Sequence, residues 1–186
     1  MQQSVLHFDI LSASVRCQLS HTRFRIVEPN LFSLKGKVAL VPGSPRGIGR
    51  SIAEELGRAG ARVAVSSRKA EACEEARADL AAKGIEVIAQ PCNVSRKEDL
   101  QALVEATRAK WGGIDVVVSN AASNPYFGPL TAIPDEAFDK IMANNVKSVL
   151  WLAAMTLPQM SAGGSLIVVG SIGGLLANTV IGAYGI

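Results

Sequence analysis

The chain has 186 residues, of which 48% are hydrophobic and 19% charged: enough apolar material for one α/β core, and too ordinary a balance for a disordered protein. Lysine and arginine number 19 against 16 acidic residues, a net charge of +3 with no basic run, and aromatics are only 5%. That balance argues against nucleic acid as the main partner. Three cysteines (Cys17, Cys73 and Cys92) are too few and too scattered for a disulfide framework or a zinc site, so no metal is expected and a reducing, cytoplasmic compartment is the default.

Residues 1–31 show neither a sustained helical period nor strand alternation. Asp9 interrupts the apolar stretch and no basic region precedes it, unlike a secretory signal. Arg16, Arg23 and Arg25 among serines faintly suit a transit peptide, but Asp9 and Glu28 oppose that reading. The segment reads as an irregular or disordered extension ahead of a domain at residues 32–186.

Regular pattern starts near Phe32. Lys37–Val41 is a short apolar run read as a buried strand. Gly43, Gly47 and Gly49 follow, and Ile48, Ile52, Ala53, Leu56 and Ala59 then fall on one helical face that Gly60 ends. Arg62–Ser66 reads as the second strand, and Ala70–Lys83 as a helix stopped by Gly84. Glu86–Gln90 is the third strand. Ser95 and Glu98 form a capping-box pattern ahead of a helix whose inner face is Leu100, Leu103, Val104 and Thr107. Ile114–Val118 is the fourth strand, Asn124–Pro129 a loop, and Pro134–Met160 a long helical region with a break near Pro158. Ser165–Val169 is the fifth strand. This alternation predicts an α/β fold: a Rossmann-type, doubly wound parallel sheet with helices on both faces.

Charge is unevenly spread. Lys147 is the last charged side chain. Either the apolar stretch from Leu166 with its Gly170 and Gly174 spacing is a membrane segment, or it is the strand and loop of a globular core. The glycines, Asn178 and Thr179 favour the second reading, so no membrane partner is expected.

A glycine-rich turn between the first strand and first helix has a mechanism. Glycine lets a pyrophosphate approach the backbone, and the helix N-terminus offers free N–H groups and partial positive charge. Gly43, Ser44, Arg46, Gly47, Ile48 and Gly49 are therefore candidate cofactor-binding residues. A site for NAD(H) would want a carboxylate at the end of the second strand. The chain has Ser66, Ser67 and Arg68 there, with Arg46 already in the loop, a set that suits the extra 2′-phosphate of NADP(H).

Gly43-x-x-x-Gly47-Ile-Gly49, Asn120-Ala121-Ala122, Asn145-Val146, Ser171 and Tyr184, in that order, resemble the signature of the short-chain dehydrogenase/reductase family over residues 32–186. The stretch Asn120–Gly128 is most similar to the carbonyl and retinal reductase branch. The resemblance implies an NADP(H)-dependent oxidoreductase moving hydride between nicotinamide and a small carbonyl or alcohol substrate. It also implies that Tyr184 is the proton donor or base, that Ser171 holds the substrate oxygen, and that Asn145 anchors a water in the proton relay. Asn93 and Val94 would flank adenine, and Asn120 and Ala121 would hold the strand edges beside the cofactor. Relatives of full length would be homo-oligomers. The alternative is a non-catalytic nucleotide-binding or regulatory module.

Several positions depart from the family pattern. Pro42 stands where relatives carry Thr and removes a backbone donor at the end of a central strand; Pro45 removes another in the loop. Ala122 replaces a glycine. The family's lysine, four residues after the tyrosine, would fall beyond Ile186. Such a cation brings a tyrosine down from its free pKa of about 10. The sequence is thus expected to be a fragment of low solubility and negligible dehydrogenase activity. The family's later helix and strands would be missing, and residues 1–30 would be an over-extended reading frame ahead of an initiator near position 31.

Overall fold

Asp115 sets the register at the start of the sheet. Its carboxylate accepts from the Val38 N–H at 2.9 Å and from Lys37 Nζ at 3.1 Å, and its own N–H donates to the Val38 carbonyl at 2.9 Å. Its carbonyl accepts from the Ser165 N–H at 2.8 Å. One residue therefore ties together the beginnings of three strands.

The structure is a computed structural model that describes residues 31–175 and 179–185. The chain divides into two units, Met1–Leu31 and Phe32–Ile186, and the sheet belongs to the second. The elements are β1 (Val38–Pro42), α1 (Gly47–Arg58), β2 (Arg62–Ser66), α2 (Ala70–Ala82), β3 (Val87–Ala89), α3 (Lys97–Trp111), β4 (Val116–Ser119), α4 (Asp135–Met142), α5 (Ser148–Thr156) and β5 (Ser165–Val168). Every pairing is parallel and the strand order is β3-β2-β1-β4-β5. The expected doubly wound sheet is present. Strand order reverses between β1 and β4, and a crevice opens at their carboxyl ends.

Strand alternation sorts the core into two layers. Val38, Leu40, Ala64 and Val117 pack against Leu100, Leu103 and Val104 of α3 and Leu152 of α5. Ala39, Val41, Val63, Val65 and Val118 pack on the opposite face against Ala53 of α1 and Leu80 of α2. The predicted inner face of α3 is wholly buried, Thr107 included.

Three local expectations change and one is sharpened. Pro42 stands at the end of the central strand β1 as expected, as its last residue, paired with Ser66. Lys37 and Gly43 bond to β2 through Arg62 N–H and Ser66 O, so alternation along a parallel strand turns the nitrogen of Pro42 toward β4. Pairing with β4 ends at Leu40 and Val117, so only that side loses a donor. The capping box is not formed: α3 starts at Lys97, and the Ser95 hydroxyl donates instead to Asn93 Oδ1 at 2.9 Å. Ile48 is 65% exposed, because it sits in the first turn of α1 beyond the strand ends and not over the sheet. The long helical region is interrupted by a π turn at Ala143–Lys147, whereas Pro158 merely tightens the end into a 3₁₀ turn, Leu157–Gln159.

The uncharged region after Lys147 forms α5, β5 and short 3₁₀ turns, and no helix among the described residues is long and apolar enough to cross a membrane. β5 is an edge of the described sheet, with Ile167 47% and Val168 53% exposed. The readings of residues 1–30 and of Ile186 lie outside the described residues.

Asp115→Ala should lower stability by roughly 1–3 kcal/mol, because the Val38 N–H loses its acceptor, while Asp115→Asn keeps an acceptor and should cost less. Urea midpoints of the two variants check this ordering; equal midpoints would contradict it.

Candidate cofactor and active site

The loop after β1 is built at the crevice. Gly43 has φ +76°, and a Cβ there would lie 3.0 Å from Ala121 Cα and Cβ. Gly49 is packed more closely still: a Cβ would meet the Gly43 carbonyl oxygen at 2.4 Å and Asn120 Nδ2 at 2.5 Å. Asn120 Nδ2 donates to that carbonyl at 2.9 Å. Above this contact the loop is open. Gly47 has φ +58°, and a Cβ built on it would meet nothing within 4 Å. The helix that begins there has no side-chain cap and no acidic residue in its first turn, leaving its positive end uncompensated. Arg46 is exposed at the N-cap position and Ile48 is exposed beside it.

Ser44 belongs to the framework and not to this open surface. It is fully buried, and its hydroxyl accepts from the Ser66 N–H at 3.1 Å. The Gly43 and Ser44 N–H groups both donate to the Ser66 carbonyl, at 2.7 and 3.1 Å. The loop is thereby locked to the end of β2, where Ser67 is half-buried and Arg68 exposed. Neither the Arg46 nor the Arg68 guanidinium has an ion pair or hydrogen bond among the described residues, and residues 66–69 at the end of β2 include no carboxylate.

Two buried free cysteines stand behind Ser67. Its N–H donates to Cys73 Sγ at 3.0 Å, and its carbonyl accepts from the Cys92 N–H at 2.9 Å. Burial, then the neighbouring Asp99 carboxylate, pushes the Cys92 thiol up to about 12. Asn93 is held by its own loop: its N–H donates to Asp99 Oδ2 at 3.0 Å and its Oδ1 accepts from Ser95. Val94 packs against the core cluster under α3. Of this pair, Asn93 shapes the strap after β3, and Val94 anchors it.

Beyond β4, Ser123 is gripped from the π turn. Asn145 Oδ1 accepts from the Ser123 N–H at 2.9 Å and its Nδ2 donates to the Ser123 carbonyl at 3.0 Å, while Asn144 Nδ2 donates to Ser123 Oγ at 2.6 Å. Consecutive side chains of an α-helix do not face one partner. The wider winding of the π turn lets both reach it, a distortion often found at functional sites. Ala122 is exposed, so its methyl group meets no obstacle.

Ser171 and Tyr184 converge on Gly173. A Cβ at Gly173 would lie 3.4 Å from Ser171 Oγ and 3.6 Å from Tyr184 Cδ1. The Ser171 hydroxyl accepts from the Gly173 N–H at 3.1 Å, which leaves its own proton free to donate. The structure thus groups the predicted residues in two places, the glycine loop with the end of β2, and Ser171 with Tyr184. Asn144, Ser123, Asp99 and Cys73 were not singled out in the sequence; only the doubled asparagine at 144–145 was a visible signal.

A family model described as short chain dehydrogenase matches residues 37–185. The chain is 40% identical over 155 residues to dehydrogenase/reductase SDR family member 4 of Bos taurus, covering 82% of this chain and 56% of that protein. It is 41% identical over 152 residues to tropinone reductase-like 3 of Erythroxylum coca, covering 82% and 59%. A solved structure of a short-chain dehydrogenase/reductase mutant of Serratia marcescens superimposes with a TM-score of 0.77 at 28% identity, covering 82% of this chain and 62% of that one. The chain therefore belongs to the short-chain dehydrogenase family, a group of oxidoreductases that use nicotinamide cofactors. It spans a little over half the length of the curated relatives it matches.

Gly49→Ala should push α1 away from Gly43 and Asn120 and lower stability by roughly 1–3 kcal/mol. A urea midpoint equal to that of the parent would show that the helix can shift freely. The raised Cys92 thiol adds stability that is complete below pH 9.0, its ordinary value, and is lost as pH rises toward about 12. Alkaline urea midpoints should therefore fall more steeply for the parent than for Cys92→Ala; parallel curves would refute this.

Proposed function

We propose that this chain is an NADP(H)-dependent oxidoreductase of the short-chain dehydrogenase type, acting on a small carbonyl or alcohol. The observation that carries the cofactor choice is the pair of exposed, unpaired guanidiniums, Arg46 and Arg68, flanking a loop with no carboxylate at the end of β2. The cradle fits a pyrophosphate by shape, since Gly43 and Gly49 leave no room for a Cβ beneath it and Gly47 leaves open space above.

The roles follow from position. The first-turn N–H groups of α1 would hold the pyrophosphate, while Arg46, Arg68 and Ser67 would hold the 2′-phosphate in forked, charge-assisted contacts. Asn120 keeps the Gly43 carbonyl turned away from the incoming anion by donating to it. When bound, the nicotinamide supplies or accepts the hydride. Ser171 would donate its free proton to a substrate oxygen, and the Tyr184 phenol would give or take the proton at that same oxygen. Asn145 fixes the loop after β4 through Ser123.

The second reading, a nucleotide-binding module without turnover, is favoured by one contrast. The nucleotide half rests on buried residues such as Ser44 and Ser66, whereas Ser171 lies exposed ahead of a short 3₁₀ turn.

Titration of the 186-residue chain, followed by Trp111 and Trp151 fluorescence, should show NADPH binding about tenfold or more tighter than NADH, given charge-assisted bonds of about 1.5–3 kcal/mol. Arg46→Ala and Arg68→Ala should each erode that preference. Equal affinities for the two cofactors would overturn the proposal of NADP(H).

A further inference from the structure

Arg68 is the middle residue of a turn that its neighbours close around it. The N–H of Lys69 donates to Ser67 Oγ at 3.3 Å, and the same hydroxyl lies 3.3 Å from the Lys69 carbonyl. This small ring does not rest on solvent. Cys73, fully buried in the second turn of α2, places Sγ 3.0 Å from the Ser67 nitrogen, 3.3 Å from Ser67 Oγ and 3.5 Å from the Ser67 carbonyl oxygen. The Cys73 N–H donates to the Lys69 carbonyl at 3.1 Å. From the other side, the Cys92 N–H reaches the Ser67 carbonyl at 2.9 Å. One side chain thus touches every polar group of Ser67 and, through its backbone, the far end of the turn.

We propose that Cys73 is a positioning residue for cofactor selection: its thiol holds the Ser67–Lys69 turn so that Ser67 Oγ and the Arg68 guanidinium face the 2′-phosphate of the nucleotide. The inference rests on the NADP(H) reading and adds to it a buried residue that never touches the ligand. The physical reason is pre-organisation. A long arginine side chain loses conformational freedom on binding a phosphate, and a turn already held in shape leaves less to be lost. The sulfur suits the place because it reaches three polar groups at once from within an apolar helix face, whereas Ala76 and Leu80 on the same buried face of α2 offer none. The role is confined to selection. The pyrophosphate cradle at Gly43–Gly49 is held by Ser66 and Asn120, neither of which contacts Cys73 in any hydrogen bond of the described residues.

The test uses the full 186-residue chain and two variants, Cys73→Val, which keeps an apolar side chain of similar size without the hydrogen bonds, and Cys73→Ser, which keeps a donor and acceptor. Each is titrated with 2′,5′-ADP and with 5′-AMP, and the exchange rate of the Ser67 amide proton is followed by NMR. The parent should prefer 2′,5′-ADP. Cys73→Val should weaken 2′,5′-ADP by about three- to tenfold, the worth of one or two net hydrogen bonds, with 5′-AMP changed by less than about twofold. Its Ser67 amide should exchange faster, and Cys73→Ser should restore part of both. A Cys73→Val chain that keeps the parent's preference, or keeps the Ser67 amide protected, overturns the role of Cys73 and leaves the NADP(H) reading standing. Equal loss for both nucleotides would show a merely structural thiol and also overturn it. A parent chain with no preference for 2′,5′-ADP overturns the NADP(H) reading, and this inference with it.

Discussion

Three segments meet at the carbonyl of Gly43. Asn120, just past β4, donates its amide to that oxygen at 2.9 Å, and Gly49, in the first turn of α1, presses against it so closely that a side-chain carbon would sit 2.4 Å away. The rest of the site depends on this contact. It brings the start of α1 down onto the ends of β1 and β4 and aims the uncapped end of α1 into the crevice. It also fixes the height of the loop above the sheet. A hydrogen bond in this place is worth only about 0.5–1.5 kcal/mol net. The exclusion of any side chain is the stronger constraint, because no rotamer change relieves a contact between backbone atoms.

The loop is joined to β2 by a second set of bonds, and here chemistry and architecture coincide. Ser66 receives two N–H groups from Gly43 and Ser44 and gives its own to the Ser44 hydroxyl. The next residue, Ser67, is held by both buried cysteines. Rigid, buried polar partners thus lead directly to an exposed, unpaired arginine. That gradient, from fully bonded backbone to free charge within three residues, pre-organises the base of the exposed guanidinium. A protein with the same sheet and an acidic residue at the end of β2 would present the opposite charge from the same scaffold.

Much of this was legible in the sequence, for physical reasons that differ by element. The apolar runs of β1 and β2 could only be buried strands, and the glycines at 43, 47 and 49 announced a turn under steric and conformational demand. The face Leu100–Leu103–Val104–Thr107 followed from helical period and is buried in full. What misled was local chemistry with two solutions. Ser95 had the spacing of a helix cap, yet the Asx turn at Asn93 takes the Ser95 N–H that the Glu98 carboxylate would accept in a capping box. Ser44 looked like a phosphate ligand by its place in the loop, whereas it is fully buried and its hydroxyl accepts from the Ser66 N–H. Pro42 was expected to cost a donor at the end of β1, and it does so only on the side where pairing has already stopped. The π turn at Ala143–Lys147 had no signal in hydrophobic period, since it serves a tertiary contact of Asn144 and Asn145 with Ser123. The thiol of Cys73 was equally silent: a cysteine on an apolar helix face reads as packing until its neighbours are known.

The central claim is that the crevice between β1 and β4 is a dinucleotide site whose selectivity is set at the end of β2. Backbone amide chemical shifts of the chain, recorded by NMR while NADP⁺ is added, test it most directly. The account predicts perturbations concentrated at Gly47, Ile48, Ser67, Arg68 and Ala121, with the outer face of α2 around Glu74 and Ala78 unchanged. Perturbations spread along α2, or none at the glycine loop at saturating NADP⁺, would contradict it.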